Sequence, residues 1–301
     1  MVTAETKTIE PGEARFEFGE NWRRFLDLVD EARAEQATRS LQNLLGVKTL
    51  AGSRFLDAGC GSGLFSLAAV RLGAETVHSF DVDGASVACT RELKRRFADA
   101  STSWRIESGD VLDAPYLRGL GTFDVVYSWG VLHHTGAMWQ ALDNICDSVA
   151  PGGLLTVAIY NDQGFRSRLW RRLKRLYNAL PDRARTPYAV AVMLPRELLS
   201  ATTAAARLNL GEYVRGWTGS RARGMSRWHD LIDWVGGYPF EVARPEEIFR
   251  FFRDRGFVLR ELMTCGGGLG CNQFVFERDG GAGSGLAAGS SSRSGPERGT
   301  T

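Results

Sequence analysis

A glycine-rich turn carries the clearest chemical signal in the sequence. Residues 55–65 read FLDAGCGSGLF, in which a hydrophobic run and Asp57 precede three alternating glycines, Gly59, Gly61 and Gly63. A strand that passes into a helix through glycines leaves free backbone N–H groups at the helix start. Missing Cβ atoms also let a ligand approach the backbone closely. The stretch therefore predicts a nucleotide-like ligand.

The spacing of this turn separates two classes of nucleotide ligand. A dinucleotide site favours GxGxxG, whose third glycine makes room for helix–strand packing. Here Leu64 occupies that position. Asp57 lies two residues before the first glycine, where a carboxylate can face an ammonium group but repels a pyrophosphate. A nicotinamide-dependent oxidoreductase is thereby disfavoured.

Two further carboxylates follow predicted strands. Asp81 ends the strand in VHSFDVDGAS, where an acid can accept hydrogen bonds from both hydroxyls of a ribose. Asp110 follows the strand in IESGDVLD, where a carboxylate can accept from an adenine amino group and Val111 can flank the ring. The carboxyl ends of parallel strands form the ligand edge of an open α/β sheet, so we expect these acids to lie together. An amino acid, a ribose and an adenine together make up S-adenosylmethionine.

Histidines are the candidate general bases. Methyl transfer from a sulfonium needs in-line alignment, and a hydroxyl nucleophile also needs a group that removes its proton. His133 and His134, in GVLHHTG, follow the fourth predicted strand and belong to the same sheet edge. His229 precedes Asp233 by four residues, so a helix would place a carboxylate beside the imidazole. His78 lies within a strand, where we expect it to fill space.

The segment around His229 has several interpretations. We hypothesise that residues 226–235 form a lid over the acceptor, with His229 or His134 as the base. The simpler alternative is a helix anchored by tryptophan whose polar residues face water. His229, Asp230 and Asp233 could also supply metal ligands, but nothing in the sequence fixes their convergence, and no metal is predicted.

Two other segments leave alternatives open. The loop CGGGLGCN, residues 265–272, is expected either at the ligand edge, with Asn272 near the acceptor, or as a plain hairpin turn. Residues 165–181 form a basic helix with an apolar stripe of Leu169, Leu173, Leu176 and Leu180. This helix has three interpretations: the stripe packs on the core, the stripe lies on a membrane surface, or the basic residues contact an anionic acceptor or RNA. Core packing is the expectation, with peripheral membrane contact as the main alternative.

Short apolar runs that alternate with amphipathic ones predict a doubly wound α/β sheet. The predicted strands are residues 53–57, 76–81, 103–107, 122–128 and 153–160. The predicted helices between them are residues 63–72, 84–98 and 137–149, followed much later by a helix at 244–256 and two more strands.

This pattern divides the chain into five predicted segments. They are an N-terminal arm with helices at 1–50, the cofactor-binding core at 51–161, a helical insertion or lid at 162–240, the end of the core at 241–279 and a disordered Gly/Ser-rich tail at 280–301.

Composition sets the remaining limits. A net charge of +2 over 301 residues argues against broad nucleic-acid binding. Five scattered cysteines without a CxxC pair predict reduced thiols and a cytoplasmic protein. The polar, acidic start predicts no signal peptide, and no apolar run approaches the roughly 20 residues that a membrane span needs. The oligomeric state is not predicted.

Taken in order, the motifs resemble the class I S-adenosylmethionine-dependent methyltransferases. The matching stretches are FLDAGCGSGLFSLAAVRLGA, VHSFDVDGASV, GDVLD, FDVVYSWGVLHHT and APGGLLTVAIYN. The resemblance covers roughly residues 50–160, and residues 244–278 also fit. It is closest to the small-molecule branch that includes the ubiquinone-biosynthesis O-methyltransferases.

The resemblance implies a Rossmann-like, mostly parallel sheet with an antiparallel last strand, and it implies residue roles. The implied cofactor residues are Asp57, Gly59, Gly61 and Gly63 at the methionine portion, Asp81 at the ribose, Asp110 and Val111 at the adenine, and Trp129 near the sulfonium. His134 stands at the family's commoner position for a histidine that faces the substrate, whereas Asp83 stands where the family often has Ser. We expect methylation of an oxygen, or else a nitrogen, on a lipid-like or aromatic small molecule. An RNA or protein methyltransferase and a non-catalytic cofactor-binding module are the alternatives.

Overall fold

One mixed sheet forms the centre of the protein. The computed structural model describes residues 22, 26, 29–99, 101–207, 211, 232, 234–268 and 270–280. Within these residues the strands are β1 Arg54–Ala58, β2 Thr76–Asp81, β3 Trp104–Ser108, β4 Phe123–Trp129, β5 Val149–Tyr160, β6 Phe257–Met263 and β7 Cys271–Arg278. They pair in the order β3-β2-β1-β4-β5-β7-β6. Only β7 runs antiparallel to its neighbours among these strands, which confirms the predicted fold class.

Helices cover both faces of the sheet. In chain order they are α1 Glu31–Leu45, α2 Leu64–Arg71, α3 Gly84–Phe97, α4 Ala114–Leu120, α5 Met138–Cys146, α6 Phe165–Ala179, α7 Asp182–Ala206 and α8 Pro245–Arg253. The predicted strands and helices agree with these bounds within a few residues at most ends. Helix α4 was not predicted, because its seven residues are too few to show a helical period.

Alternate residues of the central strands feed two separate core layers. Phe55 and Val125 face a layer that α1, α2 and α3 complete, and its buried members include Leu41, Leu67 and Leu93. Leu56 and Val126 face the opposite layer, which α4, α5 and α8 complete with Leu117, Leu142 and Phe252. Both faces of the sheet are therefore packed, and its carboxyl edge is supported from both sides.

Helix α6 is oriented differently from the main expectation. Its buried residues are Ser167, Lys174, Tyr177 and Asn178, whereas Leu169 and Leu176 of the apolar stripe are exposed. The interpretation that the stripe packs on the core is therefore wrong for Leu169 and Leu176, whereas Leu173 and Leu180 are half-buried. The polar residues face inward because main-chain carbonyls satisfy them: Lys174 Nζ donates to Trp234 O, and Asn178 Nδ2 donates to Gly236 O at 2.7 Å.

Several predictions concern residues that lie outside those the structure describes. They are the arm at 1–20, nearly all of the tail, and His229, Asp230 and Asp233 of the lid. Helices α6 and α7 fall within the predicted insertion at 162–240, but the division into five segments remains a prediction. No helix among the described residues combines the length and the apolar character needed to cross a membrane.

Candidate active site

The glycine turn lies at the carboxyl end of β1 and is tied to β2. Gly59 N and Cys60 N both donate to Phe80 O, at 2.9 and 3.0 Å. Gly59 has a φ of 83°, and a Cβ there would overlap the side chain of Val131. A Cβ on Gly61, whose φ is 54°, would lie 2.9 Å from Nε1 of Trp22. The close approach of both side chains and the positive φ values require glycine here.

Asp81 links the glycine turn to the turn after β3. Its Oδ2 accepts from Gly61 N and its Oδ1 from Asp83 N, both at 2.9 Å. Its carbonyl accepts from Gly109 N at 3.1 Å. Burial raises the pKa of Asp81 to about 6, and the backbone N–H donors oppose that rise. The side chain of Asp83 accepts from Ala85 N at 2.8 Å, so Asp83 caps α3.

Asp57 is held by a directed row of hydrogen bonds. Trp104 Nε1 donates to Ser79 Oγ at 2.8 Å, the hydroxyls of Ser79 and Ser66 are 2.7 Å apart, and Ser66 Oγ donates to Asp57 Oδ2 at 2.5 Å. Because an indole N–H only donates, the Ser79 proton points toward Ser66. All four side chains are buried. Burial raises the pKa of Asp57 to about 7, the charge of Asp81 adds to the rise, and the Ser66 hydrogen bond opposes it.

The other predicted cofactor residues lie along the same edge. Asp110 follows β3, and its Oδ1 accepts from Leu112 N at 2.9 Å. Val111 is buried in the second core layer, and its carbonyl accepts from Asn144 Nδ2 at 3.0 Å. Trp129 ends β4, and its Nε1 donates to Gln273 Oε1 of β7 at 3.0 Å. The sequence prediction thus placed all of these residues at the carboxyl edge of β1 to β4.

A second group of side chains lies beyond β4, at the ends of β4 and β5. We call it the aromatic cluster; it consists of His133, His134, Tyr160, Trp234 and Phe240. The ring of Tyr160 is central, with centroids 4.0 Å from His133, 5.2 Å from Trp234 and 5.1 Å from Phe240. The cluster joins a 3-10 turn at Leu132–His134, the end of β5 and the segment before α8.

Both imidazoles in the aromatic cluster are neutral. His134 Nδ1 lies 2.6 Å from Pro239 O, so Nδ1 carries the proton and Nε2 the lone pair. Burial first, and then the nearby Lys174, lower the pKa of His134 to about 3. Burial, His134 and Lys174 hold the pKa of His133 well below its usual value. His133 bonds to the Ala158 carbonyl, while its buried Nδ1 has no hydrogen-bond partner among the described residues.

Lys174 of α6 places an ammonium group inside the aromatic cluster. The side chain is fully buried, and Nζ lies 4.7 Å from the ring centroid of Trp234 and 4.8 Å from that of Phe240. Aromatic faces stabilise a cation at such distances. Trp234 Nε1 is, like His133 Nδ1, a buried polar atom without a hydrogen-bond partner among the described residues. The cluster therefore combines a positive charge with unsatisfied buried polar atoms.

Comparison with known families identifies the family to which the chain belongs. The model of a methyltransferase-domain family matches residues 29–194, which is more than half of the chain. The chain belongs to that family. The match includes the glycine turn, the three carboxylates and both clustered histidines. It confirms the recognition of a class I S-adenosylmethionine-dependent methyltransferase.

Individual relatives agree with this assignment of the methyltransferase domain. A ubiquinone biosynthesis O-methyltransferase of Nitrobacter winogradskyi is 26% identical over 45% of this chain and 48% of its own length. A 27-O-demethylrifamycin SV methyltransferase of Amycolatopsis mediterranei is 30% identical over 47% of this chain and 57% of its own. The chain thus spans about half the length of these curated relatives. An O-methyltransferase family protein from Burkholderia thailandensis shares the fold, with a TM-score of 0.52 at 15% identity over 86% of this chain and 60% of that chain.

The edge of the methyltransferase domain fits S-adenosylmethionine, the cofactor of this family. Asp57 is a buried carboxyl whose raised pKa would fall beside an ammonium group, so a cation there relieves an existing cost. The oxygens of Asp81 accept from the backbone N–H groups of Gly61 and Asp83, which orient the carboxylate as an acceptor for hydroxyl donors. The glycine backbone of the turn, which carries no side chains, allows the cofactor to approach closely at the same edge of the sheet.

The remaining candidates of the methyltransferase domain have structural partners. His78 Nε2 lies 3.0 Å from Glu107 Oε1 on the neighbouring strand, as expected for a space-filling residue. The loop at 265–272 does lie at the ligand edge, because β6 is parallel to β5 and β7 is antiparallel. Asn272 is buried there: its Oδ1 accepts from Cys265 N and its Nδ2 donates to Asn161 Oδ1, both at 3.1 Å. Among the described residues, no group of three metal-binding side chains occurs.

The sequence analysis did not predict several side chains of the site. Ser66 and Ser79 carried a weak signal, since each is a polar residue in an otherwise apolar helix or strand. Lys174 was hidden among the arginines of a basic helix. Tyr160 and Phe240 had no signal, because a long insertion separates them in the chain although their rings lie together.

Proposed function

We propose that this chain transfers a methyl group from S-adenosylmethionine to an acidic hydroxyl on a small aromatic acceptor. The observation that supports it best is the position of the aromatic cluster, with its two neutral imidazoles and buried Lys174, beside an edge that fits the cofactor. The activity of the whole protein, the acceptor and the residue roles belong to this proposal.

The cofactor would be held along the carboxyl edge of β1 to β4. Asp57 would face its ammonium group, Asp81 its ribose hydroxyls, and Asp110 with Val111 its adenine. Trp129 would lie at the end nearest the aromatic cluster. When bound, S-adenosylmethionine supplies a methyl group that its sulfonium centre has already activated. The residues of the protein then have to align the acceptor and remove its proton.

His134 is our candidate for the base. Its lone pair is on Nε2, and it is partly accessible, whereas His133 is only 1% exposed and serves better to position the acceptor. A pKa of about 3 makes His134 a weak base. Lys174, which helps to lower that pKa, would also stabilise the anion of an acceptor oxygen. A weak base beside a fixed cation suits a phenol or enol better than an alcohol.

The printed names of the relatives support a small-molecule acceptor. One acts in ubiquinone biosynthesis and the other on 27-O-demethylrifamycin SV, and both names denote O-methyltransfer. We extend this to a lipid-like or aromatic acceptor for this chain because the aromatic cluster provides stacking surfaces. Cytoplasmic localisation remains a prediction.

The test is to follow a labelled methyl group. The protein is incubated with methyl-labelled S-adenosylmethionine and a cell extract, and the small-molecule, protein and RNA fractions are then analysed separately by mass spectrometry. We expect the label in an aromatic small molecule as a methyl ether. The Asp81→Asn variant should abolish the transfer, and the matched Asp83→Asn variant, which changes the adjacent helix cap, should retain it.

Two results would contradict this proposal in different ways. Label in the protein or RNA fraction would establish a macromolecular acceptor. Binding of S-adenosylhomocysteine without transfer to any fraction would indicate a non-catalytic binding module.

A further inference from the structure

Helix α6 presents a row of apolar side chains to solvent. Phe165, Leu169 and Leu176 are 68%, 46% and 50% exposed. The opposite side of α6 holds Lys174 against the aromatic cluster, so the polar interior fixes this orientation. A soluble protein rarely leaves a contiguous apolar row uncovered unless the row has an occupant.

The exposed row lies among arginines. The exposed basic residues of α6 are Arg166, Arg168, Arg171, Arg172 and Arg175, and the helix contains no acidic residue. With 3.6 residues per turn, Arg168 and Arg172 project beside one flank of the row and Arg166 beside the other. The helix therefore offers apolar side chains with guanidinium groups on both flanks.

Helix α7 also exposes apolar side chains. Val190, Leu194 and Leu198 are exposed and recur at every fourth residue. The two helices pack together, since Tyr188 Oη donates to Leu173 O at 3.1 Å and the Tyr177 and Tyr188 ring centroids are 6.3 Å apart. Both helices of this pair therefore present apolar side chains to solvent.

We propose that α6 and α7 dock the protein onto a membrane surface that contains anionic lipid. The apolar rows would enter the boundary between headgroups and acyl chains, and the flanking arginines would pair with lipid phosphates. A second copy of the chain suits this surface poorly, because a twofold contact would oppose the arginines of both copies. Docking does not depend on the proposed chemistry.

Vesicle flotation tests the proposal with the full chain. We expect co-flotation with phosphatidylcholine vesicles that contain phosphatidylglycerol, little with phosphatidylcholine alone, and weakening as salt is added. The Arg168→Gln/Arg172→Gln variant should partition about 30-fold more weakly, since each arginine near the surface contributes about 1 kcal/mol. Its control is Arg118→Gln/Arg250→Gln, which removes two exposed arginines elsewhere and should bind normally.

A second pair of variants tests the apolar row. Leu169→Ser/Leu176→Ser should lose co-flotation, whereas Val258→Ser/Leu262→Ser, which changes two exposed side chains on the edge strand β6, should keep it. All variants should melt at the wild-type temperature and bind S-adenosylhomocysteine, since the substituted side chains are exposed. If the leucine variant does not fold, the Arg168→Gln/Arg172→Gln variant, which leaves the apolar row intact, tests the proposal by itself.

Three outcomes would overturn the proposal. They are no flotation of the wild type with anionic vesicles at low salt, wild-type flotation of the arginine variant, and concentration-dependent dimerisation that the leucine variant abolishes. The last outcome would assign the surface to a second copy of the chain.

Discussion

The two halves of the ligand edge are built by different means. At the ends of β1 to β3, backbone N–H groups and carboxylates form the site, and the residues that meet there come from one continuous stretch of about 60 residues. At the ends of β4 and β5, aromatic rings and one buried ammonium form it, and they come from segments far apart in the chain. The pKa shifts also differ, because burial raises the pKa of the acids in the first half and lowers the pKa of the histidines in the second.

This difference separates two tasks. A cofactor that never changes can be recognised by backbone geometry, which tolerates few substitutions. Under the proposed function, the acceptor would be recognised by side chains at the ends of β4 and β5, on α6 and in the segment before α8. If the two halves act separately, a substitution in one half should leave the function of the other unchanged.

The largest effect is expected from Asp81. Asp81→Ala removes the acceptor for two backbone N–H groups and for the ribose, and hydrogen bonds to a charged group contribute about 1.5–3 kcal/mol each. We expect S-adenosylhomocysteine to bind at least about 100-fold more weakly by calorimetry. The Asp83→Ala variant should change binding far less, and equal losses from both variants would contradict the separate roles of the two acids.

The next effect concerns the histidines. His134→Gln should lower the turnover rate about 100-fold, as loss of a general base does, while the affinity for S-adenosylhomocysteine stays unchanged. His133→Gln should mainly raise the KM for the acceptor, because this residue positions the acceptor and does not take its proton. A loss of cofactor affinity in either variant would show that the two halves are coupled.

The pH dependence of stability should have opposite signs in the two halves. The pKa of Asp57 is raised from 3.8 to about 7, so the unfolded chain binds fewer protons between these values, and the free energy of unfolding falls as pH rises from about 4 to 7. The pKa of His134 is lowered from 6.5 to about 3, so its contribution rises with pH from about 3 to 6.5. Each contribution changes by at most about 1.4 kcal/mol per pH unit.

Urea titrations at pH 5.0 and 7.5 check these signs. Relative to the wild type, Asp57→Asn should become more stable at the higher pH, and His134→Gln should become less sensitive to acid. The same sign of change in both variants would refute the assigned protonation states.

The smallest effect is expected from the hydrogen-bonded row behind Asp57. Binding an ammonium group should ionise Asp57, so cofactor binding near pH 6.5 should release a proton, seen by calorimetry in buffers of different ionisation enthalpy. Asp81 and Cys60 are the other titratable groups near Asp57. Ser66→Ala removes a hydrogen bond that lowers the Asp57 pKa, so the pH midpoint of proton release should rise and affinity at neutral pH should fall several-fold. Ser62→Ala, in the same turn, is the control and should keep the wild-type midpoint.

The first half of the edge was predictable from sequence because its signals are local. Each of Asp57, Asp81 and Asp110 lies at or just beyond the end of a short strand, and the ends of neighbouring parallel strands lie at the same edge of a sheet. The alternating glycines predict a turn whose backbone has to be free of side chains. Only the row through Ser66 and Ser79 escaped notice, since a buried serine looks like any other small residue until its partner is known.

The second half could not be read from the sequence in the same way. His134 meets Pro239 across an insertion, and no local period links them. The prediction for α6 failed at Leu169 and Leu176 because hydropathy favours burying leucines, whereas carbonyls of residues 234 and 236 hold the polar side inward. A rule based on hydropathy fails where distant main-chain acceptors outweigh it.

The late position of β7 in the chain has a consequence for synthesis. This strand fits between β5 and β6, yet it is translated after the whole insertion. A nascent chain that has completed β5 therefore carries an unpaired strand edge while more than a hundred further residues emerge. Such an edge invites pairing with other nascent chains, so a ribosome-bound intermediate truncated before Cys271 should engage chaperones strongly, and release should follow the arrival of β7.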